Sequence, residues 1–297
     1  MKTKKNLLSL IIALCLCMAL AAPALAADYD NLFNHKTVEP VFNKDGSITF
    51  SLQPDYDNFK DKVIEVHGQI EFDDAYMTMP LHDDFNSEDI SNEELEDILQ
   101  PYLEAGKTVR AIGWTKAYIK DDSESNPIVP LAEGGKESNC ALTLYTIVSV
   151  DNFDRSMITA DTVAVWNDKS GYGGEYNSHT YTRDAIGMTA PDGCLFEQYT
   201  LLGPSTNPHA VGGSDNSIAI EMQERNGKTT LMTIFDNVSC TGRHNWFSSY
   251  THTWSDLFDF DFSFGVSLGQ KGLVMTPIIS KGSVHYWPLA SWVTCSL

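Results

Sequence analysis

Positive charge is scarce in this chain: 20 lysines and arginines stand against 40 aspartates and glutamates. Nucleic-acid phosphates and anionic lipid headgroups are held by cationic neutralisation, so this balance excludes nucleic acid as an expected partner. Catalytic signatures are equally thin. The sequence has no His-Glu-x-x-His helix, no phosphate-cradling glycine loop and no Gly-x-Ser-x-Gly elbow. Their absence removes zinc-helix peptidases, P-loop enzymes and α/β-hydrolases in their usual forms. Calcium lacks a motif as well. Asp45-Gly46 resembles the centre of a calcium loop, but the first and last ligands would fall on Val41 and Leu52, which carry no side-chain oxygen. Asp151, Asp154, Asp161 and Asp168 remain as acids that calcium could gather, with no spacing rule behind them. No cofactor is implied.

Long apolar runs are also missing after residue 26, so no segment of the mature chain reads as the roughly 20-residue span of a membrane helix. The N-terminus itself has the form of an export signal. Lys2, Lys4 and Lys5 precede an apolar run over residues 7–20, and Ala24-Leu25-Ala26 supplies the small residues of a cleavage site. Cleavage after Ala26 predicts a secreted protein. The loss of three lysines leaves 17 basic residues against 40 acidic ones, a net charge of about −23 with neutral histidines. Four cysteines remain: Cys140, Cys194, Cys240 and Cys295. An even number in an exported chain predicts disulfides, with three possible pairings that sequence leaves open.

Residues 27–120 mix strand and helix signals and predict a small α+β region. Residues 41–52, "VFNKDGSITFSL", read as two strands about a glycine-containing turn. Ser91 and Glu94 form a capping box ahead of Leu95, Ile98, Leu99, Tyr102 and Leu103, which recur at helical spacing. Gly106 ends that helix, and Pro101 inside it should kink or split it for want of an N–H donor. Residues 121–139, broken by Pro127, Pro130 and Gly134-Gly135, read as a linker or long loop. Beyond it, residues 140–297 carry short β-rich runs between turns. This pattern predicts a mainly β chain whose C-terminal region is an antiparallel β-sandwich, or barrel-like. Residues 217–235 read as a hairpin about Asn226-Gly227, the preferred pair for a type I′ turn.

One stretch concentrates aromatic and acidic side chains: "HNWFSSYTHTWSDLFDFDFSFG", from His244. Trp246, Tyr250, His252 and Trp254 share one parity, as do Phe258, Phe260, Phe262 and Phe264, while Asp259 and Asp261 take the other. A strand of more than 20 residues far exceeds the usual 5–6, so a turn is expected near Ser255-Asp256. A two-residue turn sets His252 opposite Asp259 and Tyr250 opposite Asp261, on a face shared with Trp246 and Trp254. Aromatic faces cover sugar C–H groups and carboxylates bind hydroxyls, so such a face is a candidate glycan platform. Its two aspartates are also candidate acid/base residues with His252 as partner, although glycosidases with acids on one strand favour glutamate, and none follows Glu224. A three-residue turn buries the aromatic residues together and makes His252 a core histidine in need of a hydrogen-bond partner. That register separates apolar from polar residues better and is the expected one.

These features predict a secreted, non-enzymatic β-rich protein that binds glycans, cell wall or a cell surface. The alternatives are an extracellular polysaccharide or cell-wall hydrolase using Asp259 and Asp261, and a secreted toxin or interaction protein.

Overall fold

The computed structural model describes residues 38–42, 48–52, 63–72, 90–119, 140–151, 157–166, 183–223, 227–254, 261–281 and 284–297. Strands β1 (Val38–Phe42) and β2 (Ile48–Leu52) form the expected hairpin, with Phe42 opposite Ile48. There follow β3 (Val63–Glu71), helix α1 (Asn92–Glu104), β4 (Lys107–Ile119), β5 (Cys140–Asp151), β6 (Met157–Trp166) and β7 (Asp184–Thr189). The chain continues through β8 (Cys194–Leu202), β9 (Thr206–Ser214), β10 (Ser217–Gln223), β11 (Lys228–Asn237) and β12 (Arg243–Trp254). It ends with β13 (Asp261–Gly269), β14 (Gly272–Lys281) and β15 (His285–Ser296).

The fold is mainly β, and its sheets are antiparallel. A six-stranded sheet runs β3-β4-β5-β6-β11-β8, and a five-stranded sheet runs β15-β12-β7-β10-β9. The two face each other across a core that includes Leu142, Leu144, Ile186, Phe235, Trp246 and Val293. Period-2 alternation explains the partition. On β5, Leu142, Leu144 and Val148 enter this core, while Tyr145 and Ile147 turn to the opposite face. That opposite face is covered by α1, through Leu95, Ile98, Leu99 and Tyr102. The outer face of the five-stranded sheet is covered in turn by the β13–β14 hairpin, where Phe262, Phe264, Leu273 and Met275 pack on Ala185 and Ala219.

One feature departs from the sequence expectations and two narrow them. Strands on either side of residues 121–139 pair directly, β4 with β5, with Trp114 opposite Tyr145. The segment therefore joins two strands of one sheet. Residues 217–235 are not a hairpin: β10 pairs with β7 and β9, while β11 pairs with β6 and β8. The chain passes from one sheet to the other between them, and alternation alone cannot tell a hairpin from such a crossing. Finally, α1 continues through Pro101 instead of splitting there.

The helix is fastened at its N-terminus. Ser91 Oγ accepts the Glu94 N–H at 3.1 Å, half of the capping box. The Glu94 carboxylate makes other bonds instead: it takes the ammonium of fully buried Lys116 at 2.8 Å and the Tyr145 hydroxyl. These two bonds tie α1 to the sheet beneath it.

The open edge of β15 is closed by side chains of β3. Gln69 Oε1 accepts the Thr294 N–H and Glu71 Oε1 the Ser296 N–H, each at 3.0 Å. The His67 ring stacks on Trp292 at 3.6 Å. Burial, the largest influence, lowers the His67 pKa to about 4, so this histidine is neutral at physiological pH. The sheets also approach closely at Gly113, where an added Cβ would stand 2.0 Å from the Trp292 carbonyl oxygen. Backbone cannot yield as a side-chain tip can. Gly113→Ala should therefore cost about 1–3 kcal/mol in urea unfolding. A loss below about 0.5 kcal/mol would show that β4 and β15 are not pressed together there.

Candidate functional site

The aromatic residues of β12 do not form an external platform. Among the described residues this strand lies inside the five-stranded sheet between β15 and β7, and β13 pairs with β14, so Tyr250 stands opposite Leu289 and Ile186 and not opposite Asp261 or Phe262. Trp246, Tyr250 and His252 point into the core and are essentially inaccessible. Trp246 and Tyr250 thus present no face to an external sugar. Asp259, the turn after Trp254 and the Trp254 side chain lie outside the described residues. Asp261 is exposed on β13, where it accepts Ser280 Oγ at 3.0 Å and pairs with Arg183 at 3.6 Å. Its partners are thus Ser280 and Arg183, whereas His252 is enclosed on β12.

His252 has a different partner, which the sequence reading missed. Asp184, at the start of β7, is fully buried and accepts three bonds: the Tyr250 hydroxyl at 2.5 Å, His252 Nδ1 at 2.9 Å and the Thr253 N–H at 2.9 Å. Trp166 packs edge-on against His252 and donates its indole N–H to Tyr250 at 3.3 Å. With every group enclosed, this cluster organises the core and has no surface on which to meet a substrate.

An accessible concave site lies beneath α1, among the described residues. The C-terminal half of α1 stands over β4 and β6. Beside it is a cavity of about 400 Å³ walled by Ile98 and Pro101 of α1, its C-cap Ala105, Val163 of β6, Met232 of β11 and Leu202 of β8. Lys107, Asp161 and Tyr102 supply its polar floor, and Lys228 stands at its rim with Asp97 at 3.4 Å. Register places these side chains together. Met232 is opposite Asp161, and Thr230 lies between Val163 and Leu202, so residues of matching parity on three strands face the helix.

Asp161 is 2 % exposed, and both its oxygens are used. Oδ2 accepts the Tyr102 hydroxyl at 2.5 Å and Oδ1 the Thr233 N–H at 3.3 Å. Burial is the largest influence and raises its pKa to about 7, against the opposing pull of the Tyr102 hydrogen bond, the Lys107 charge and the Thr233 N–H. Burial likewise raises Tyr102, and the adjacent carboxylate adds to the shift. The Lys107 ammonium donates to Thr159 Oγ1 at 3.1 Å and reaches Met232 Sδ at 4.0 Å.

The sign of the pH effect follows from the raised value. Folded protein holds the Asp161 proton that unfolded protein releases near pH 4, so this contribution to stability is full below about pH 4 and lost as pH rises through about 7. Asp161→Asn removes the titration. From pH 4 to 7 the stability difference should move towards the variant by up to about 1.4 kcal/mol per pH unit. A difference that stays flat across this range in urea unfolding would contradict it.

Among the described residues no group of three or more His, Cys, Asp or Glu side chains is placed to hold a metal ion, and no helix is long and apolar enough to cross a membrane. Asp161, considered earlier as a calcium ligand, is committed to Tyr102 and Thr233. No protein-family model matches the chain, and no curated protein matches it. What the site can do must be read from its own chemistry: it can enclose a small apolar molecule and offer polar partners at one end.

Proposed function

We propose that this is an exported, non-enzymatic binding protein that takes a small, largely apolar molecule into the cleft beneath α1. The observation that carries this reading is the cleft itself. At about 400 Å³ it falls within the roughly 300–1,000 Å³ range of small-molecule sites. Its apolar walls and few convergent polar groups are the composition such sites have. The export signal read over residues 1–26 and the strong acidity of the remaining chain support an extracellular setting.

A glycan ligand draws less support. Two of the three aromatic residues considered for a sugar platform, Trp246 and Tyr250, are core residues. The cleft walls are mainly aliphatic and thioether, with Tyr102 the aromatic residue among those that line it. Titration of the protein with N-phenylnaphthylamine, a neutral apolar fluorophore, tests the reading. Saturable one-to-one binding is expected; its absence would remove the proposed site.

A further inference from the structure

Three of the four cysteines gather at one end of the sandwich. Cys194 opens β8, Cys240 lies in the turn leaving β11, and Cys295 lies near the end of β15; all three are buried in the same core cluster. The first two are held against each other by backbone. Asn237 of β11 pairs with Cys194, the Val238 and Ser239 N–H groups both donate to the Gly193 carbonyl at 2.9 and 3.1 Å, and Asn237 Oδ1 accepts the Cys240 N–H at 2.9 Å. An added Cβ on Gly193 would lie 2.8 Å from the Cys240 nitrogen, so the two segments touch. All four cysteines stand as unbridged, buried thiols in the structure, with Cys194 and Cys240 on the two segments that touch.

Cys140 sits far away. It opens β5, and its thiol donates to the Leu142 carbonyl at 3.8 Å and meets Thr143 Oγ1 at 3.6 Å. Leu142 pairs with Trp166 at one end of β6, whereas Met157 at the other end pairs with Asp236, itself opposite Leu195. The ten residues of β6 therefore separate Cys140 from Cys194, a span of about 30 Å at 3.3 Å per residue. Bridged cysteines need Cα atoms within roughly 7 Å. None of the three complete pairings of four cysteines can then form.

We infer that the oxidised protein carries one disulfide, Cys194–Cys240, and that Cys140 and Cys295 remain thiols. The oxidant is a small disulfide. One cysteine thiolate attacks it to give a mixed disulfide and a released thiol, and the second cysteine displaces the other half. Two electrons pass to the oxidant, which leaves as two thiols carrying the two protons. The bond ties the first residue of edge strand β8 to the turn beyond β11. Burial raises the Cys194 and Cys240 thiols above their ordinary range, which leaves little thiolate in the folded chain and places the exchange during folding. This inference is independent of the proposed ligand site.

The test is reduced, denatured full-length protein refolded in a glutathione redox buffer, then unfolded in alkylating agent and digested without reductant. The expected product is a single linked pair of peptides bearing Cys194 and Cys240, with Cys140 and Cys295 fully alkylated. A link containing Cys140 or Cys295, or alkylation of all four cysteines, would overturn the assignment.

Discussion

Asp184→Ala should be the most damaging single substitution at a polar position, with an expected loss of about 3–5 kcal/mol. The reason is local. Asp184 is fully enclosed and alone collects the Tyr250 hydroxyl, the His252 imidazole and the Thr253 N–H. Alanine removes the acceptor that these three buried donors share, and each bond lost in a buried setting costs about 1–3 kcal/mol. A domain's whole stability is only about 5–15 kcal/mol, so the variant should be marginal at best. Asp261→Ala supplies the contrast. That carboxylate is 69 % exposed and its ion pair with Arg183 spans 3.6 Å, so its removal should cost less than about 1 kcal/mol. Urea unfolding of the two variants checks both values, and equal losses would show that Asp184 has no organising role.

Thr230→Trp should abolish binding in the cleft while leaving the fold intact. Thr230 lies mid-strand on β11, half-buried, with Val163 and Leu202 on either side and the cleft in front of it. An indole there projects into the space that the ligand needs. Tryptophan is well tolerated in strands, and the open cavity accepts the added volume without displacing packed neighbours. The apparent Kd for an apolar probe should rise at least about tenfold, equivalent to about 1.4 kcal/mol, with the urea midpoint nearly unchanged. Unaltered affinity would place the probe elsewhere.

The strand pattern, the capping serine and the buried stripe of α1 were legible in the sequence because each depends on neighbours a few residues away. Sheet membership was not. Residues 217–235 alternate as a hairpin does, yet β10 and β11 belong to opposite sheets, a choice made by partners far along the chain. The parity of β12 groups Trp246, Tyr250 and His252 on one buried face, but the opposite face, with Ser249, Thr251 and Thr253, is buried as well, and the strand's partners are β15 and β7. His252 was expected to need a hydrogen-bond partner in the core, and nothing near it in sequence pointed to Asp184, 68 residues earlier. The cleft was equally hidden. Its residues are drawn from α1, β4, β6, β8 and β11, and Asp161 and Met232 meet only through strand register.

Parallel titrations of wild type and Thr230→Trp with N-phenylnaphthylamine test most directly whether the space beneath α1 is a binding site. Saturable one-to-one binding to the wild type that is lost in the variant is the expected result. Equal binding by both proteins, or none by either, would contradict a ligand site there.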